Sequence, residues 1–243
     1  MGSRYLGVAG ALALVAALAA MAMVLTCGPG TRMDAWSWQI GLGMLKWAFY
    51  VGAAAAVVSL VLVVLLAFPK FRAHPWVPVA SLVIALVAIA PPLMLLSVAK
   101  SVPRIHDITT DTANPPAFVG LLEVRRKAPN GFAYGGEAIA AEQRKGYPDL
   151  KPLVLKAPPR DVMQRAIDAA RALGWEVVSS DAEAGRIEAT DTTTWFGFKD
   201  DVVIRVQPDP EGSRVDVRSV SRVGLSDLGA NAKRIREFLA RLA

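Results

Sequence analysis

The sequence has one cysteine, Cys27, and two histidines, His74 and His106. A lone thiol excludes an intrachain disulfide and any metal site built from several cysteines. Only His106 lies beyond residue 100, so no second imidazole is there to complete a typical zinc set. Charge is missing too, in blocks: no Asp, Glu, Lys, Arg or His occurs from Tyr5 to Thr31, Trp47 to Pro69, or Pro75 to Ala99. Ion and proton pathways across membranes usually use ionisable groups near the midplane, so a proton-driven pump or ion transporter is not expected. Basic residues are not massed in the polar half either. From Lys100 onward 22 cations face 20 acids, whereas five cations and one acid, Asp34, precede it. The alkaline balance therefore comes from the flanks of the apolar blocks, and no nucleic-acid partner is expected. Motifs are absent as well: no Gly-x-Ser-x-Gly elbow, no Gly-rich phosphate loop with its Lys, no EF-hand loop and no placeable Ser/His/Asp set. Neither a metal nor another cofactor is expected.

What is present begins with those apolar blocks. Each exceeds the roughly 20 residues an α-helix needs to cross a bilayer. They predict three transmembrane helices, at about 5–26, 47–68 and 77–98, within an anchor covering 1–99. The first is longer than the usual 7–15-residue core of a signal peptide. Val24-Leu25-Thr26-Cys27-Gly28 has the outline of a lipoprotein processing site, but Thr26 is a poor residue before that cysteine. A retained helix is the better reading. Gly28-Pro29-Gly30 reads as a turn, and Pro91-Pro92 as a kink or interruption. Trp36, Trp38, Trp47 and Tyr50 suit the membrane–water boundary.

The loop Lys70-Phe71-Arg72-Ala73-His74 is short and basic, which favours the cytoplasmic side, and Arg4 agrees. Three spans then place the C-terminal domain in the periplasm of a bacterial inner membrane, with the N-terminus cytoplasmic.

Residues 100–152 are punctuated by Pro103, Pro115-Pro116, Pro129, Gly135-Gly136, Pro148 and Pro152. Phe118, Leu121, Phe132 and Tyr147 make an arm wrapped on the domain a better reading than a free tether. Residues 153–243 form the soluble domain proper. A helix follows Pro159 and ends near Gly174. Four strand-like runs come next, near 175–179, 186–192, 201–207 and 214–219. A last helix starts at Ser226, with apolar residues at Leu228, Ala232, Ile235, Leu239 and Leu242. The fold class is an α-helical membrane anchor followed by an α+β domain: a mainly antiparallel four-stranded sheet with two helices on one face.

Candidate ligand-binding residues fall in three groups. His106, Asp107 and Asp111 follow the last span, where an imidazole beside carboxylates can act as base or ligand; a local turn closed by Asp107 or Asp111 is the plainer alternative. Asp201, next to Asp200, offers a carboxylate to a hard cation, or a solvated cap at a turn. Arg218, Ser219, Ser221, Arg222, Ser226 and Asp227 lead into the last helix, whose free N–H groups can hold an anion or be capped internally. Ser219 and Ser221 continue the face of Val215 and Val217, and so point inward.

The segments Ile105–Asp111 with Pro115-Pro116, Tyr147-Pro148-Asp149-Leu150, Phe196–Asp201, and Arg218–Asp227 with Asn231 and Arg234-Ile235 resemble the family called domain of unknown function 1499. The resemblance covers about 105–242 and extends to membrane-tethered bacterial versions. It implies a compact α+β domain and no established activity or ligand. The first expectation is a membrane-tethered binding or scaffolding domain in the cell envelope. Its partners would be the lipid bilayer and an envelope protein or anionic ligand. The alternatives are a hydrolase-like envelope enzyme using the His106/Asp107 and Ser219–Asp227 regions, and a domain that binds lipid or a small molecule.

Overall fold

The computed structural model describes residues 2–68 and 74–243. The basic loop at Lys70, Phe71, Arg72 and Ala73 lies outside them. The chain divides into two units, residues 1–98 with 194–197, and residues 99–193 with 198–243.

Three helices make up the first part of the chain: α1 (Gly2–Arg32), α2 (Trp38–Leu65) and α3 (Trp76–Ser101). All three are long and apolar enough to cross a membrane. Small residues carry their packing. Ala17, Ala20, Ala48 and Ala85 are wholly buried, and a side chain at Gly52 would press on Ile89 and Ala20. Lipid offers no hydrophobic drive for helix association, so close backbone approach through small residues takes its place. One polar contact joins two of the helices, Ser59 Oγ donating to Ser81 Oγ at 2.7 Å.

The expected turn at Gly28-Pro29-Gly30 is not one, because α1 runs through it to Arg32. Met33 N–H donates to Pro29 O at 3.0 Å. Gly30 leaves the space that the Trp36 ring occupies, and Trp36 Nε1 donates to Cys27 O at 3.2 Å. The glycine serves close approach rather than chain reversal. Pro91-Pro92 likewise sits inside α3, whose helical assignment continues on both sides. Helix α2 starts well before Trp47, at a Ser37 cap whose Oγ accepts from Ile40 N.

In the second unit, six strands form one antiparallel sheet: β1 (Asp107–Thr109), β2 (Leu153–Leu155), β3 (Glu176–Asp181), β4 (Arg186–Thr192), β5 (Lys199–Asp209) and β6 (Gly212–Ser221). The order is β1-β6-β5-β4-β3, with β2 also on β6. The expected four strands are β3 to β6. The additional two are three-residue strands that share one edge of β6: Asp107 lies opposite Val220, and Leu153 opposite Val215. Strands this short carry no readable period-two pattern. Two short helices, α4 (Leu122–Lys127) and α5 (Gly136–Gly146), lie between β1 and β2.

Helices α6 (Pro159–Ala172) and α7 (Ala230–Leu242) cover one face of the sheet. Their Val162, Ala166, Ile235 and Phe238 meet Ile187, Ile204 and Val217 in the main core. Trp175 stacks on Phe238 with ring centroids 5.3 Å apart. Because side chains alternate along a strand, the intervening positions of β4, β5 and β6 point to the opposite face. There Phe118, Leu121, Val203 and Val220 make a small second core, and the rest of that face is ionic.

Candidate functional site

The ionic face is built by alternation. Asp107 on β1, Glu188 and Thr190 on β4, Asp201 and Arg205 on β5, and Asp216, Arg218 and Arg222 on or after β6 share it. Residues 110–134 lie over them. Three sets of contacts result.

In the first, Arg218 binds Asp107 bidentately, Nε to Oδ1 at 2.9 Å and Nη2 to Oδ2 at 2.7 Å. Its remaining N–H groups donate to Pro116 O and Phe132 O, and its guanidinium lies 5.3 Å from the Phe118 ring centroid. The Tyr134 phenol beside it is pushed up to about 12, first by burial and then by the charge of Asp107.

In the second set, Arg205 Nη2 bridges Asp111 and Asp216 at 3.0 and 2.9 Å. Arg214 reaches the same two carboxylates. Asp111 also accepts from the backbone of Ala113 and Asn114, so the expected local turn is present and carries a second role.

The third set centres on Asp201, which is wholly buried. It accepts from Arg222 Nη2 at 2.8 Å, Thr190 Oγ1 at 2.8 Å and Arg125 Nη1 at 3.4 Å. Arg125 is wholly buried as well, and its Nε and Nη2 have no hydrogen-bond partner. Burial draws its pKa down against the pull of Asp201. Nearby, the Glu188 carboxylate accepts three backbone N–H groups, those of Val119, Gly120 and Leu121, at 2.8 to 2.9 Å. A carboxylate inside such a ring of donors holds the chain as a bound anion would.

On the helix-covered face, Ser219 Oγ donates to Asn231 Oδ1 at 2.6 Å, and Asn231 Nδ2 donates to Ser221 Oγ and to His106 O, both at 3.0 Å. Arg234 donates to Asp191 and Asp200 at 2.7 and 2.6 Å. The pair Asp200-Asp201 is therefore no solvated cap. Strand β5 already begins at Lys199, so the two carboxylates point to opposite faces, each onto arginine. The last helix also starts later than expected. Gly229 takes its cap position with φ 83°, and the Asp227 carboxylate accepts from Gly229 N and Asn231 N, both at 2.9 Å. Ser226 Oγ accepts from Leu228 N one turn earlier. Burial, the largest influence, raises the Asp227 pKa.

The ten candidate residues thus separate. Asp107, Asp111, Asp201, Arg218 and Arg222 lie on the ionic face. Ser219 and Ser221 lie on the helix side, with Ser226 and Asp227 at the entry to α7. His106 contributes its carbonyl oxygen, which also accepts from Ser221 N. Among the described residues these candidates occupy two faces of the sheet and the entry to α7 rather than one cleft. Among the described residues no group of His, Cys, Asp or Glu is arranged to hold a metal ion. Sequence reasoning did not single out Arg125, Glu188, Arg205 and Asp216, and included Asn231 and Arg234 only within the family resemblance. All but Arg205 are buried; alternation places Glu188 and Asp216 on the face away from the main core, but does not say that chain rather than water covers them.

One open groove of about 410 Å³ lies where α4 meets the end of β6, lined by Glu123, Val124, Lys127, Ala128, Pro129, Arg222 and Val223.

A family model described as "Protein of unknown function (DUF1499)" matches residues 107–242, from the first residue of β1 to the last of α7. No curated protein matches the chain.

Proposed function

The chain belongs to the DUF1499 family, and from that premise we propose that it is a multi-pass protein of a bacterial inner membrane whose domain beyond residue 100 is a periplasmic binding or scaffolding module. The observation that carries this reading is the internal engagement of the polar candidates. Asp107, Asp201, Arg218, Ser219 and Ser221 are buried and bonded to one another's neighbours. A general acid or base needs reach to a substrate proton, and groups held this way rigidify a surface instead. The orientation rests on Arg4, before the first span, and on Lys70 and Arg72, between the second and third; short basic segments stay on the cytoplasmic side.

Two experiments test it. A periplasm-active phosphatase fused after Ala243 should be active; activity of a cytoplasm-restricted reporter alone would reverse the orientation. His106→Ala and Ser221→Ala should keep whatever phenotype deletion of the gene removes. Loss of that phenotype at unchanged thermal stability would move the reading to catalysis.

A further inference from the structure

The edge where α4 meets the end of β6 differs in charge from the rest of the ionic face. Elsewhere on that face the ions balance, Asp107 against Arg218, and Asp111 and Asp216 against Arg205 and Arg214. Here four cations, Arg125, Arg126, Lys127 and Arg222, face two carboxylates, Glu123 and Asp201. Arg126 pairs with Glu123, and Arg125 and Arg222 share Asp201. Lys127 is exposed and has no ion pair among the described residues. The groove that Lys127 and Arg222 line is therefore electropositive.

The same rim exposes apolar side chains. Leu225 is 66% exposed and Val124 39%, and Phe132 leans on Arg126 with the guanidinium 6.0 Å from its ring centroid. The surface is built rather than loose. Asn130 N donates to Arg222 O at 3.2 Å, and Asn130 Nδ2 donates to Ser221 O and Gly224 O at 3.0 and 2.9 Å, which ties the two sides of the groove together. Cations interleaved with exposed apolar residues are what a surface needs in order to meet a bilayer. The cations attract anionic headgroups and the apolar groups enter the interface.

We propose that this edge binds the phosphate of anionic phospholipid headgroups, with Lys127 and Arg222 as the anion contacts and Val124 and Leu225 in the interface. Charge complementarity selects that occupant, and the three helices that precede the domain in the chain are long and apolar enough to cross a bilayer. The inference deepens the binding-module reading by naming a ligand class.

The test uses the full chain in nanodiscs of phosphatidylglycerol and of phosphatidylcholine, with amide exchange followed at residues 122–132 and 222–226. Exchange there should be several-fold slower in phosphatidylglycerol. Lys127→Glu should reduce that difference about fivefold or more, since each basic side chain near an anionic surface contributes on that order. Its unfolding midpoint should stay in place, because Lys127 is exposed and has no ion pair among the described residues. Leu225→Ser should weaken protection in both lipids. Equal exchange in the two lipids would overturn the proposal. Equal protection by inorganic phosphate in detergent would also overturn it, by making the groove a site for the free anion. Either result leaves the binding-module reading standing, because that rests on the reporter and on the His106 and Ser221 variants.

Discussion

Arg218 and Asp107 form a two-bond ion pair across 111 residues of sequence, buried at 3% and 5% exposure. The pair ties the chain just beyond the last span to the end of β6. Removing one partner leaves a buried charge alone, which costs about 3–5 kcal/mol. Asp107→Asn should lower stability by roughly that amount in urea unfolding. The double variant Asp107→Leu/Arg218→Met should recover much of the loss, since a buried ion pair is often replaceable by apolar residues of similar volume.

The three-way cluster around Asp201 predicts an asymmetry. Arg125→Met deletes a buried guanidinium two of whose nitrogens have no partner, and Asp201 keeps Arg222 and Thr190. It should cost less than about 1.5 kcal/mol. Asp201→Asn deprives two arginines at once and should cost about 3–5 kcal/mol. Equal losses in the two variants, read from chemical unfolding, would contradict the arrangement.

Glu188 holds residues 119–121 by three backbone hydrogen bonds. Glu188→Gln removes the charge and turns one acceptor oxygen into a donor facing N–H groups. Amides of 119–121 should then exchange at least tenfold faster, and global stability should fall by about 2–3 kcal/mol. Hydrogen exchange read by mass spectrometry separates the local effect from the global one.

Asp227 gives a pH prediction. Its folded pKa is raised by burial, so the folded state binds the proton more tightly than the unfolded chain does. The stability that this contributes is fully present below the unfolded value, about 3.9, and is lost as pH rises through the raised folded value. Asp227→Asn removes the titration and leaves one acceptor oxygen for the two N–H groups of Gly229 and Asn231, a loss that does not itself change with pH. Wild type should therefore gain on Asp227→Asn as pH falls through that window. Asp227→Ala should cost about 1 kcal/mol at neutral pH through the lost cap.

The parts of the fold legible in the sequence were those marked by a long apolar block or by a period. The three spans announce themselves by length without charge, and α6, α7 and strands β4 to β6 by apolar spacing. The ionic face does not, because Glu188, Asp201, Arg205 and Arg218 occupy the alternate positions where an antiparallel sheet with one wet face shows polar residues. Nothing local distinguishes a polar position facing water from one facing a folded-over arm. Asp201, read as the first residue of its strand and as a cation ligand or a solvated cap, lies instead inside β5, which extends back to Lys199, and bonds Arg125. Ser219 and Ser221 were legible as inward-facing, since they continue the face of Val215 and Val217. Their bonds to Asn231 were not, although the family resemblance includes that residue, because the cap of α7 falls at Gly229, three residues after Ser226.

The edge of β6 carries a consequence for the order in which the domain is made. Strand β1 leaves the ribosome more than a hundred residues before Val220, its partner. At about 5–20 residues per second that interval is on the order of ten seconds. Through it β1 and β2 lack the strand edge on which both pair. The pairing made last is therefore the one that joins the earliest-made segment to the end of the sheet. A chain cut short before β6 would leave both short strands unpaired, a ready mark for quality-control proteases.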